Sequence, residues 1–329
     1  MILSFAFNNR SLIAATKRMR WQRCNLLDAK AQKPVVHLSI FFVIVCILPK
    51  AMADFSAIFE ESPYKSLYRC IDRYPEDALQ VAIADFQNQK PGVAFSPLLH
   101  YCVQQERLAP FIELLEAGVG PDEDLVECSA LKENTSFLFG LLEHGWPIDH
   151  TLQGGRVPSL LCLVIDRPKL FKELLQRGAS PNAMSTSGET PLSLAIQAGS
   201  PATIKMLLEA GANVHEGDVL HYAVERQGDD LEVMRLLLSC NAPVNAIQFE
   251  HPIARRLRHF LLRGMPLHKA CILGKYEVVD LLLRHGANPS STRMRGSQIE
   301  QTTPLDIAKQ QGDESMIVLL ESYGQRSHY

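Results

Sequence analysis

A five-residue phrase, Leu-Leu-x-x-Gly, recurs along this 329-residue chain and leaves few folds open to it. It appears as Leu114-Leu115…Gly118, Leu141-Leu142…Gly145, Leu174-Leu175…Gly178, Leu207-Leu208…Gly211 and Leu282-Leu283…Gly286. A sixth copy, Leu237-Leu238-Ser239-Cys240-Asn241, carries Asn where the others have Gly. The spacings between these last positions are 27, 33, 33, 30 and 45 residues. A period near 33 is the mark of a stacked repeat, in which each unit buries its apolar face on its neighbours.

The exception at 241 explains the phrase. The residue just past a helix end often turns left-handed, a conformation that Gly takes freely and Asn tolerates better than most. Each phrase therefore predicts the end of a helix, with the two leucines facing a neighbour. Upstream stand Thr190-Pro191-Leu192-Ser193-Leu194-Ala195, Met265-Pro266-Leu267-His268-Lys269-Ala270 and Thr303-Pro304-Leu305-Asp306-Ile307-Ala308. Thr-Pro-Leu suits a helix start, with a hydroxyl cap and Pro at the first helical position. Gly199, Gly274 and Gly312 then mark a turn between two short helices.

This pattern resembles the ankyrin repeat, whose signature is Thr-Pro-Leu-His-x-Ala followed by a helix ending in Leu-Leu-x-x-Gly-Ala. Residues 190–214 and 265–289 carry it most clearly. The resemblance implies an all-α fold, a solenoid of stacked helical hairpins with short β-hairpin-like fingers, in about seven repeats over 96–329. Several copies are degraded: Val157-Pro158-Ser159-Leu160 lacks the threonine, and Leu220-His221-Tyr222-Ala223 lacks the proline. Residues 54–95 have no signature, but Leu67, Cys70 and Ile71, then Leu79, Ala82 and Ile83, are helically spaced. They read as a divergent N-terminal helical cap, since terminal repeats are usually atypical.

The first 53 residues stand apart. Residues 35–48 form an apolar run of 14, preceded by Arg20, Arg23, Lys30 and Lys33 and followed by Ala51-Met52-Ala53. That order reads as a secretory signal peptide with an extended basic leader, cleaved after Ala53. The expected location is the periplasm or the exterior; an uncleaved run at 35–48 would instead tether the protein to a membrane. At about 1.5 Å per residue the run spans roughly 21 Å, short of the ~30 Å hydrocarbon core. Residues 54–329 hold 25 basic and 35 acidic side chains, so the mature product is acidic and unsuited to nucleic acid. Six cysteines (70, 102, 128, 162, 240 and 271) lie beyond the signal. Equivalent positions on stacked repeats are about 10 Å apart, too far for disulfides, so they read as buried thiols. Asn134-Thr135-Ser136 is a glycosylation acceptor in a eukaryotic secretory route.

No metalloprotease, nucleophile-elbow, Walker or dinucleotide motif occurs, and no closely paired cysteines suggest zinc. No catalytic residue, cofactor or metal site is therefore assigned. The resemblance implies structural roles for His221 and His268, with His100 beside them: hydrogen bonds from the imidazole to backbone between repeats. His144 and His285, just before a helix-ending Gly, suit the unpaired carbonyls there. His251 and His259 fall outside the repeat pattern.

Two fingers are long. Asn245 to Pro266 spans 21 positions and Asn288 to Pro304 spans 16, against 9 from Asn182 to Pro191. The insertions, 247–264 and 290–302, carry Arg255, Arg256, Arg258, Arg263, Arg293 and Arg295, while Ile253, Leu257, Phe260 and Leu261 recur at helical spacing. Neighbouring fingers project side by side in such stacks, so the six arginines are expected to form one basic patch on an acidic body. That patch, with Phe260 and the stripe as anchor, would bind an acidic protein surface or another anionic partner. The competing reading folds the stripe onto the stack and leaves the arginines solvated. The function expected is that of a monomeric, exported, non-catalytic scaffold that binds a protein through its fingers and concave face. The alternatives are a membrane-tethered adaptor or a translocated bacterial effector.

Overall fold

A computed structural model describes residues 64–74, 79–89, 94–258 and 260–324. The signal-like segment 1–53, its cleavage point and His259 lie outside these residues. The described residues all belong to one compact unit, 55–329.

Among the described residues eight helical hairpins follow one another. They are α1 (Lys65–Asp72) with α2 (Leu79–Gln89), α3 (Ser96–Gln104) with α4 (Leu108–Glu116), and α5 (Glu123–Leu131) with α6 (Ser136–Glu143). A 3₁₀ turn (Leu160–Leu163) with α7 (Pro168–Gln176) makes the fourth, and α8 (Pro191–Ala198) with α9 (Pro201–Glu209) the fifth. Then come α10 (Val219–Glu225) with α11 (Asp230–Ser239), α13 (Pro266–Ile272) with α14 (Tyr276–Arg284), and α15 (Pro304–Gln311) with α16 (Glu314–Gly324). First helices pack on first helices and second on second, as α8 on α10 on α13 on α15, and α9 on α11 on α14 on α16. One further helix, α12 (Pro252–Leu257), belongs to the first insertion. Among the described residues no helix is long and apolar enough to cross a membrane.

Local chemistry accounts for the clearest boundaries. Thr190 caps α8, its hydroxyl accepting from the Ser193 amide at 3.2 Å while Ser193 Oγ accepts from the Thr190 amide at 2.9 Å. Thr303 and Asp306 repeat this box at α15. Ser159, at the degraded copy, makes no cap, and only four residues of 3₁₀ turn form there. At the other end, Gly211 has φ +86° and Asn241 φ +60°. Both close a paired-bond reversal: the Ala212 and Ala242 amides donate to Leu207 O at 2.9 Å and Leu237 O at 3.1 Å.

The first leucine of every phrase (Leu114, Leu141, Leu174, Leu207, Leu237, Leu282) is fully buried. Burying such a side chain contributes roughly 1.5–3 kcal/mol. A second set of contacts crosses successive hairpins. A side chain at the junction between the first and second helix of a hairpin reaches back to the carbonyls that end the preceding first helix. Arg107 donates to Ile71 O at 3.1 Å and Asp72 O at 2.9 Å, and Arg167 donates to Ala130 O. Arg226 donates to Ile196 O and, at 3.0 Å, to Gly199 O. Lys275 reaches Arg226 O and, at 2.6 Å, Asp230, and Gln311 reaches Ile272 O at 3.0 Å. These donors satisfy orphan helix-end carbonyls, and a cation there also complements the helix dipole.

True strands occur among the described residues only in the two insertions: β1 (Leu262–Arg263), β2 (Arg293–Arg295) and β3 (Gln298–Glu300). They form one antiparallel sheet in that order, with Leu262 opposite Arg295 and Met294 opposite Ile299. Elsewhere a finger has at most the single bridge Leu152–Val157. All six cysteines of the unit are free thiols. Cys102 and Cys271 are buried, and desolvation pushes each thiol up to about 12.

Candidate interaction surface

The first insertion leaves the stack after α11 and returns at α13, its base closed where the Gln248 amide donates to Gly264 O at 3.1 Å. Pro252 opens α12, which turns its small residue inward and its large ones outward. Ala254 is buried, while Ile253, Leu257 (61% exposed), Phe260 (50%) and Leu261 face solvent. The folded-down alternative for the stripe is therefore not what forms.

What holds the segment is a clasp of polar groups. Asp218 occupies the cap position of α10 but makes no side-chain cap of its own. Its carboxylate accepts instead from the Phe249 amide, at 3.0 and 3.2 Å, and both residues have positive φ, +56° and +60°. The Arg258 guanidinium lies 4.4 Å from the Phe249 ring centre and pairs with Glu189 at 4.0 Å. The His251 ring rests against Gly188, where a Cβ would come within 2.4 Å of it. Desolvation dominates the electrostatics: it raises Glu189, and raises Asp218 to about 6 against the Phe249 amide and the Arg258 and Lys269 charges. Tyr222 is also pushed up, by burial and then by Glu189 and Asp218.

The sheet carries the clasp into the second insertion, so the two long fingers form one body. Their arginines do not share one surface. Arg263, expected in the patch, is 2% exposed; it pairs with Glu250 at 3.1 Å and donates to Gly296 O at 3.0 Å. Its place on β1 turns it under the sheet, where a buried cation needs those partners. Arg258 serves the clasp, and Arg295 pairs with Glu300 at 3.0 Å across the β2–β3 hairpin. Arg293 is half-buried, its stem beside Gly264. Arg255 and Arg256 are exposed, both on α12 beside the outward stripe. The surface is thus apolar first and basic second.

The histidines of the repeat phrases make structural contacts. His268 Nδ1 accepts from the Met265 amide at 3.2 Å, which leaves its Nε2–H to donate to Ser291 O at 3.1 Å. His221 Nε2 donates to Gly264 O at 3.0 Å. Burial keeps both neutral at ordinary pH, with His221 lowered to about 3 and His268 to about 4. His100 meets the Asp122 carboxylate of the next hairpin at 2.8 Å, and His144 and His285 each meet the carbonyl four residues back at 2.8 Å. Among the described residues no group of His, Cys, Asp and Glu is placed to hold a metal ion. One open hollow is lined by Glu300, Thr302, Asp306 and Lys309, another by Gln87, Phe95, Val119 and Asp122. Neither assembles a nucleophile with a base.

Sequence reasoning missed Asp218, Glu189 and Gly188. A signal was available for one of them: Asp218-Val219 stands where intact copies have Thr-Pro, so that cap residue was open to another use.

The family model described as "Ankyrin repeats (3 copies)" matches residues 160–248, and "Ankyrin repeat" matches 265–293. The Escherichia coli ankyrin repeat protein YahD is 25% identical over 183 residues, 46% of this chain and 89% of that protein. Ankyrin repeat and SOCS box protein 11 of Danio rerio is 30% identical over 142 residues, 41% of this chain. The chain spans only 40% of that relative's length. The crystal structure of the human ASB11 ankyrin repeat domain is 27% identical, with a TM-score of 0.45 over 60% of this chain and 83% of that one.

Proposed function

Because the chain belongs to the ankyrin-repeat family, its stack matched at 160–248 and 265–293, we propose that it is an exported, non-catalytic scaffold. It binds a protein on the face lined by the first helices and the fingers, and presents its long insertions to an anionic partner. The observation that carries this reading is the outward stripe of α12, held by a clasp that leaves Ile253 and Leu257 to solvent. Exposed large apolar side chains that the fold does not need mark contact surfaces. Export rests on the basic leader, the 14-residue apolar run and the small residues ending at Ala53.

Two measurements test it. Crosslinking of captured partners to the full chain, mapped by mass spectrometry, is expected to place links on the fingers 185–189 and 291–300 and on first helices α8, α10 and α13. Links confined to the second helices α9, α11 and α14 would contradict the docking face. Intact-mass analysis is expected to show a product beginning at Asp54, and a retained leader would remove the export half while leaving the scaffold standing.

A further inference from the structure

We propose that the tip of the first insertion seats on an anionic lipid surface, with Ile253, Leu257, Phe260 and Leu261 among the acyl chains and Arg255 and Arg256 at the headgroup phosphates. This deepens the reading of the insertions as an anionic contact and rests on it, but not on the protein-binding face.

Three features of the tip point to lipid. The first is the inverted partition of α12: the buried position holds Ala254, and the side chains left outside are the largest in the segment. The segment is clasped through other residues: Asp218 holds the Phe249 amide, Glu189 holds Arg258, Glu250 holds Arg263, and β1 pairs with β2. The stripe is therefore displayed by a built support.

The second is shape. The stripe occupies a six-residue helix and the turn after it, its four large side chains 39–61% exposed. A protein partner would have to supply the whole cleft for four prongs. A bilayer interface needs no complementary shape, only a short apolar face with cations at its shoulder.

The third is charge. Residues 247–264 carry four Arg and one Glu, and 290–302 two Arg and one Glu, whereas 54–329 as a whole has ten more acidic than basic groups. An anionic surface would repel the body and attract this end, which orients the stack tip-down. Glu189, Glu250 and Glu300 are paired with Arg258, Arg263 and Arg295 in turn.

The test uses the full chain with vesicles of phosphatidylcholine, with and without phosphatidylglycerol. Because the apolar run at 35–48 can bring the chain to vesicles by itself, the readout is local. In Leu257→Trp, the fluorescence above that of the parent, which has only Trp21 and Trp146, reports position 257. The expected result is a blue shift and quenching by brominated acyl chains, and at least tenfold weaker binding to neutral vesicles. Phe260→Glu introduced into Leu257→Trp is expected to abolish the quenching while circular dichroism stays unchanged. Absence of quenching at 257, whether or not the chain is vesicle-bound, overturns the lipid assignment. If Phe260→Glu instead abolishes crosslinking to a protein partner, the stripe serves that partner and the scaffold reading survives alone. Loss of first-helix crosslinks with quenching intact would sink the scaffold reading and leave this one.

Discussion

Replacing Asp218 with Asn should stabilise the protein at neutral pH. The Asp218 carboxyl is raised from 3.8 to about 6, desolvation being the largest cause. The Phe249 amide, Arg258 and Lys269 oppose that rise and Glu250 adds to it. The folded pKa lies above the unfolded one, so the folded state binds more protons between the two values. Stability from this group is then fully present below about pH 4 and lost as pH rises through about 6. A displacement of about two units corresponds to about 3 kcal/mol of differential interaction at pH 7. Asn removes that charge and keeps an oxygen for the Phe249 amide, though as a neutral and weaker acceptor, a loss of about 1 kcal/mol. It also tolerates the left-handed φ of +56° at least as well as Asp. The net gain expected at pH 7 is about 1–2 kcal/mol, falling to zero or below near pH 4. Urea midpoints of parent and variant, taken from pH 4 to pH 8, measure it. A variant less stable than the parent at pH 7, or one with the parent's pH slope unchanged, would refute the reasoning.

Other substitutions probe neighbouring parts. Gly188→Ala puts a Cβ into the His251 ring and onto a backbone with φ +84°; it should destabilise by about 1–3 kcal/mol and speed amide exchange at Phe249. Arg263→Ala should cost about 3 kcal/mol by stripping a buried site of its cation, whereas Arg255→Ala should shift the urea midpoint by no more than about 0.5 kcal/mol. Asn241→Gly, at φ +60°, should stabilise by about 0.5–1 kcal/mol in thermal melts, because glycine takes that conformation without strain. His268→Ala should lose about 1–3 kcal/mol near pH 8 and less as pH falls below about 6.5, because the unfolded ring takes up a proton there that the buried ring, lowered to about 4, does not.

Features set by local chemistry were legible in the sequence. The reversals at Gly211 and Asn241 follow from which residues adopt positive φ, and the starts of α8 and α15 from Thr-Pro-Leu. The six buried leucines follow from the phrase itself. What escaped depended on contacts distant in sequence. Nothing local marks the donors Arg107, Arg167 and Arg226, because the carbonyls they bind belong to the preceding hairpin. Helical spacing put Ile253, Leu257, Phe260 and Leu261 on one side of the segment but could not say whether that side turns in or out. The answer lies with Asp218 and Glu189, some 30 to 70 residues away, which hold the other side. Arg263 was misjudged for a similar reason: its partners Glu250 and Gly296 meet it only once the two insertions join as a sheet.

Hydrogen–deuterium exchange on the free full-length chain reaches the heart of this account, that the two insertions are one preformed surface. The amides of Phe249 and of β1 and β2 should exchange at least a hundredfold more slowly than unstructured peptide, without any partner added. Exchange of those amides at the unstructured rate, with α8, α10 and α13 still protected, would mean that the surface is not built before binding.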